Sequence, residues 1–93
     1  MQTRERFQAW VTRYALTEGI WQGEAVVSEN EVKTIIFYRA DGTGQLYIHG
    51  ADWHRTEEAA TKRAEEMRTR KIGSLRKQIA KLEALTFAPD NAG

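Results

Sequence analysis

His49 and His54 bracket Asp52, and two imidazoles with a carboxylate form a donor set that a divalent metal accepts. Their placement on a strand-to-helix connection does not define a coordination geometry. Surface and capping roles are the expectation for all three, with no metal and no other cofactor. Glu57/Glu58 and Glu65/Glu66 are the remaining acid–base candidates, but neighbouring helical residues point about 100° apart and these four lie among lysines and arginines. They read as helix-surface residues. Neither histidine has a serine and an acid arranged beside it for nucleophilic work. Asp41-Gly42-Thr43-Gly44 lacks the lysine and the following helix of a phosphate-binding loop. With no cysteine, thiolate metal sites, cysteine nucleophiles and disulfide staples are absent as well. The expectation is a protein that is not an enzyme and has no catalytic residues.

The cations are more suggestive. Arg63, Arg70, Lys77 and Lys81 follow one another at seven- and four-residue intervals, which puts them on one stripe of a helix. Trp21, Tyr38, Tyr47 and Trp53 could stack unpaired bases on a sheet face. Together these define one functional alternative, a small nucleic-acid-binding protein. The opposing reading is that helices of soluble proteins carry Lys and Arg outward, and that a small sheet needs aromatics for its own core. A basic amphipathic helix can also lie on a membrane, but Glu65, Glu66 and a formal net charge of +1 argue against that partner.

The chain has 93 residues, the size of a single domain with one core. Its 41% apolar and 29% charged residues suit a folded protein rather than a disordered one. Charge is uneven: residues 1–50 hold five Lys/Arg and six Asp/Glu, whereas Arg55 through Lys81 hold nine basic residues against Glu57, Glu58, Glu65 and Glu66. The longest apolar stretch, Ile35–Tyr38, is far short of the roughly 20 residues that span a bilayer, and the N-terminal residues form no apolar signal-peptide core. The expected location is cytoplasmic.

The elements that must position these residues are legible in outline. Phe7–Leu16 is rich in aromatic and branched residues with partial alternation, and reads as a strand. Ile20–Ser28, Val32–Arg39 and Gln45–His49 follow as strands two, three and four, with turns at Thr17-Glu18-Gly19, Glu29-Asn30-Glu31 and Asp41-Gly42. Short connections make an antiparallel meander the economical topology. After Gly50 the pattern becomes helical, with Thr56 as N-cap, Glu57 and Glu58 in the first turn, and Pro89 forbidding continuation. The predicted organisation is one α+β domain over 1–93. It comprises a four-stranded antiparallel sheet within 5–50 that could curl toward a half-barrel, one long helix over 56–86 packed across it, and a frayed tail over 87–93.

A length mismatch points to function. A helix of this span is roughly 43 Å long, against about 20 to 26 Å for strands of six to eight residues. The helix should overhang its sheet, yet its apolar stripe continues to the end. Ala60, Ala64 and Met67 serve the first half, and Ile72, Leu75, Ile79 and Leu82 follow the 3,4,3 spacing of a coiled-coil seam. The step from Met67 to Ile72 swings the stripe about 140° around the axis. Three covers for the seam are possible: a second copy, a different partner, or the protein's own sheet if the helix breaks at Gly73. A second copy is the leading expectation, giving a homodimer through the C-terminal helix. Antiparallel pairing is favoured within it, because it sets Arg76 against Glu83 of the mate where parallel pairing sets Lys71 against Arg76.

Arg13-Tyr14-Ala15-Leu16-Thr17-Glu18-Gly19-Ile20 and Trp53-His54-Arg55-Thr56-Glu57-Glu58-Ala59-Ala60, continuing through AEEMRTRKIGSLRKQIAKLEAL, carry a family resemblance. The chain resembles small accessory proteins of bacteriophages, prophages and mobile elements that open with a Tyr-Ala-Leu-Thr-x-Gly-Ile strand and close with a Trp-His-x-Thr-led helix. The resemblance implies context more than chemistry. It suggests a non-enzymatic protein-interaction module, an inhibitor of a host defence complex of the anti-CRISPR kind, acting in the host cytoplasm.

Overall fold

Apart from the buried pair Ala25-Val26, buried residues alternate with more exposed ones along the strands, and that alternation decides which face of the sheet becomes the core. The computed structural model describes residues 5–88. Its strands are β1 (Phe7–Val11), β2 (Trp21–Val27), β3 (Ile35–Tyr38), β4 (Gln45–Ile48) and β5 (Trp53–His54), followed by one helix, α1 (Glu57–Glu83). All neighbours pair antiparallel, in the order β4-β3-β2-β1-β5. The protein is α+β, as its sequence predicts, with five strands rather than four. The additional strand is the two-residue β5, which lies in the stretch read as a loop and pairs Trp10 with His54 and Val11 with Trp53.

β5 forces the sheet to curl. Laid flat, five strands would separate the outer two by about 19 Å, yet only His49–Asp52 join β4 to β5, and Gly50–Asp52 is a 3₁₀ turn. The connection is too short for a flat sheet, so the edges approach one another as a half-barrel. Across the curl, Trp53 Nε1 of β5 donates to the Lys33 carbonyl in the turn before β3 at 2.9 Å, and beside β1 the Thr12 amide donates to the Asp52 carbonyl at 2.8 Å. Inside the curl sit Ala9, Val11, Ala25, Ile35, Phe37 and Ile48, flanked by Phe7, Trp21, Leu46 and Trp53. Gly23 makes this packing possible: a Cβ there would lie 2.9 Å from the Phe37 ring and 3.0 Å from the Tyr38 carbonyl.

All four predicted strands prove shorter, the second and fourth by single terminal residues and the first and third by several. The first ends at Val11 because, from the Thr12 carbonyl onward, the backbone bonds locally, Ala15 N–H to Thr12 and Glu18 N–H to Tyr14, forming a turn over 13–18 that closes at Gly19 with φ +87°. The third begins at Ile35 because Val32 and Lys33 form the turn that Ser28 and Thr34 close, their backbones bonded at 2.8 Å.

The helix begins as predicted, with Thr56 Oγ1 accepting from the Ala59 amide at 3.1 Å. It runs unbroken through Gly73, which removes the reading in which the end folds back on the sheet. Nor does it pack across the sheet. Ala60 is its one buried side chain among the described residues, and α1 meets the sheet chiefly at β5 and β1. The correction follows from β5, which ends two residues before the helix and launches it from an edge, outward from the curl. The molecule measures 76 × 28 × 25 Å. The helix closes at Glu83 with Ala84 as its cap, short of the predicted end at 86 and six residues before Pro89; of the predicted tail over 87–93, residues 89–93 lie outside the described residues.

Candidate interaction surface

A helix of 27 residues is about 40 Å long, and its root alone is held. Ala60 is sealed against the sheet, Arg63, Ala64 and Met67 are half-buried, and Leu16 from the 13–18 turn shares a shallow groove of about 310 Å³ with Met67, Arg70, Lys71 and Ser74. Beyond that point the apolar seam faces water. Exposure rises toward the tip, from 41% at Ile72 and 42% at Leu75 to 53% at Ile79 and 64% at Leu82, with Leu85 at 54%. The four predicted seam residues thus share one side of a projecting rod, within an arc of about 80°.

The predicted basic stripe is also on one side, Arg63, Arg70, Lys77 and Lys81 falling within about 40° of arc. It runs about 160° from the seam, so a partner on one face leaves the other open. Arg63 differs from the other three. It lies at the root, its Nε is buried without a hydrogen-bond partner, and its charge helps to hold the His54 imidazole below its ordinary pKa. Arg70, Lys77 and Lys81 are exposed. Charge along the rod is graded as well: between Met67 and Leu82 the chain carries Arg68, Arg70, Lys71, Arg76, Lys77 and Lys81 and no carboxylate, while Glu57, Glu58, Glu65 and Glu66 cluster at the root.

The two histidines do not converge. His49 Nδ1 is paired with Thr34 Oγ1 at 3.0 Å and lies 3.5 Å from Glu31 Oε2. His54 Nε2 is paired with Thr12 Oγ1 at 3.2 Å. Burial is the main cause of the lowered His54 pKa, Arg63 adds to it, and Asp52 opposes both. Among the described residues no three His, Asp or Glu side chains gather in a cluster that could hold a metal ion.

Nor do the four aromatics form one platform. The registers place Trp21 and Trp53 on the core face, each opposite Val11, while Tyr38 and Tyr47 lie on the outer face with Ile36. What the sequence did not disclose is a different aromatic series at the open end of the curl. Tyr14, Trp21 and Phe37 follow one another at centroid separations of 4.8 and 6.5 Å, with the Arg39 guanidinium 4.9 Å above Trp21 and that of Arg13 5.5 Å from Tyr14. Beside them lies a groove of about 280 Å³ lined by Trp21, Gln22, Phe37, Arg39, Ala40 and Asp41. Asp41 accepts from the Thr43 hydroxyl and amide, which lower its pKa, and lies 3.7 Å from Arg39. The series was hidden because Tyr14 belongs to a turn, not a strand, and reaches Trp21 only when the chain doubles back.

The chain matches no known protein family, no curated protein and no solved structure. No helix among the described residues is long and apolar enough to cross a membrane.

Proposed function

We propose that this protein is a non-enzymatic protein-interaction module whose projecting helix is its working part. One observation carries the reading: past Met67 an apolar seam of four residues continues along an intact helix, and each of its side chains is exposed. Fully burying a Leu or Ile side chain contributes about 1.5 to 3 kcal/mol, so a partner that covers Ile72, Leu75, Ile79 and Leu82 gains a large apolar contribution in one contact. Scattered exposed apolar residues need no explanation, but a periodic row of them does. The resemblance to phage and mobile-element accessory proteins supplies the class of target, a host defence complex, blocked sterically by the rod and the curled sheet behind it. The test is direct inhibition. Purified CRISPR interference complexes of different types are preincubated with the protein and scored for target-DNA binding and cleavage. Inhibition by the parent that is lost in Ile79→Asp supports the reading; no inhibition of any complex discards the anti-CRISPR form of it.

The run of six cations without a carboxylate between Met67 and Leu82 favours a second reading, nucleic-acid binding along the rod. Binding of that kind releases counterions, so affinity must fall steeply with salt, with a log–log slope of about −0.9 per phosphate neutralised on duplex DNA. A gel-shift series lacking that slope, or unmoved by Arg70→Glu with Lys77→Glu, removes it.

A further inference from the structure

We infer that the seam of the projecting helix is covered by the same seam of a second copy, running antiparallel. The inference rests on the interaction reading above and names its first partner. Ile72 and Ile79 occupy a positions and Leu75 and Leu82 d positions, and the flanking e and g residues decide orientation. Here the flanks are Arg76 and Glu83 at e, and Lys71 and Gln78 at g.

Parallel pairing brings Lys71 of each copy to Arg76 of the other, two like-charge contacts at the edge of an apolar seam. Antiparallel pairing about a two-fold axis near Lys77 sets Ile72 against Leu82 and Leu75 against Ile79 in every layer. It also places Arg76 on the same side of the seam as Glu83 of the second copy, about 7.5 Å away along the axis at 1.5 Å per residue. That offset is closed by the direction of the side chains. Helical side chains lean toward their own N-terminus, and in this arrangement Arg76 and Glu83 lean toward each other. Arg76 and Arg76 of the two copies lean apart. Glu83 is the one carboxylate of the projecting half, and it stands where Arg76 of an antiparallel copy reaches.

The end of the helix agrees. With the helix closing at Glu83 and Ala84, the carbonyl end of the second copy falls level with Arg70 and Lys71, and cations beside a helix C-terminus are favourable. The contact is isologous, so it closes at two copies, and the basic stripe on the far side of each rod stays open. With barely two heptads the pairing is weak and concentration-dependent.

Sedimentation of the full chain over a wide concentration range tests this. A monomer–dimer equilibrium abolished by Leu75→Asp is expected; a monomer at every concentration overturns the inference while leaving inhibition of a defence complex as a separate result. Arg76→Glu should weaken the dimer at least tenfold, and Arg76→Glu with Glu83→Arg should restore it to within threefold of the parent. Failure of the double variant to recover overturns the Arg76–Glu83 contact. Because the chain has no cysteine, orientation is readable by oxidation. An equal mixture of Ile72→Cys and Leu82→Cys copies should form the mixed disulfide, and Leu82→Cys alone should not form a covalent dimer; the reverse result means parallel helices. All these positions are exposed, and unchanged tryptophan fluorescence confirms that the sheet of each variant is intact.

Discussion

Thr12 Oγ1 and His54 Nε2 lie 3.2 Å apart, joining the end of β1 to β5 at the point where the helix is launched. Thr12 is fully buried, and β5 has no other length to spare. Thr12→Val keeps the shape and removes the hydroxyl, leaving a half-buried imidazole nitrogen without its partner. A loss of about 1 to 3 kcal/mol is expected, read as a lower midpoint in chemical denaturation.

Because burial and Arg63 hold His54 below its ordinary pKa, the folded protein favours the neutral ring. The unfolded chain therefore binds the proton first as pH falls. This contribution to stability is complete above the unfolded value of about 6.5 and is lost as pH falls from there through the folded value. Thermal unfolding at about pH 7.5 and pH 5 should show the parent losing more stability on acidification than His54→Gln. Equal losses in the two proteins would refute the assignment.

Gly23→Ala places a methyl group against the Phe37 ring and the Tyr38 carbonyl. Phe37 is 2% exposed and has nowhere to turn. The substitution should destabilise by about 1 to 3 kcal/mol, with Gly23→Val worse. A neutral Gly23→Ala in urea denaturation would mean that the interior of the curl is looser than this packing.

Gly73→Ala acts in the opposite direction. Nothing lies within 4 Å of a Cβ at this position, and the residue is helical. Replacing glycine by alanine inside a helix contributes about 1 kcal/mol. Helical circular dichroism should rise and fraying of the tip should fall, without change at the sheet.

Thr56→Ala removes the cap at the other end, where Thr56 Oγ1 accepts from Ala59. A cost of about 1 kcal/mol is expected, detected first as faster hydrogen exchange in the opening turn of α1.

The sequence disclosed elements more readily than their arrangement. Ile35–Tyr38 was legible because a run of branched and aromatic residues has few alternatives, and α1 because its formers, its cap and its acidic first turn agree. Trp53 and His54 carry no periodicity in two residues, so β5 was invisible, and with it the direction in which the helix leaves. Tyr14, Ala15 and Leu16 look like strand continuation; only the backbone bonds among 12–18 reveal a turn, which turns Leu16 toward α1. The seam and the stripe were readable as helical spacing. Whether the seam was covered depended on a tertiary direction that spacing does not encode.

Rooting a rod of this length at Ala60 also makes it a lever. From Ala60 to Leu82 is about 33 Å, so a tilt of about 5° at the root carries Leu82 through about 3 Å. Small adjustments of the Thr12–His54 anchorage are thereby magnified at the far end, which sweeps a wider arc than any residue of the curled sheet can reach.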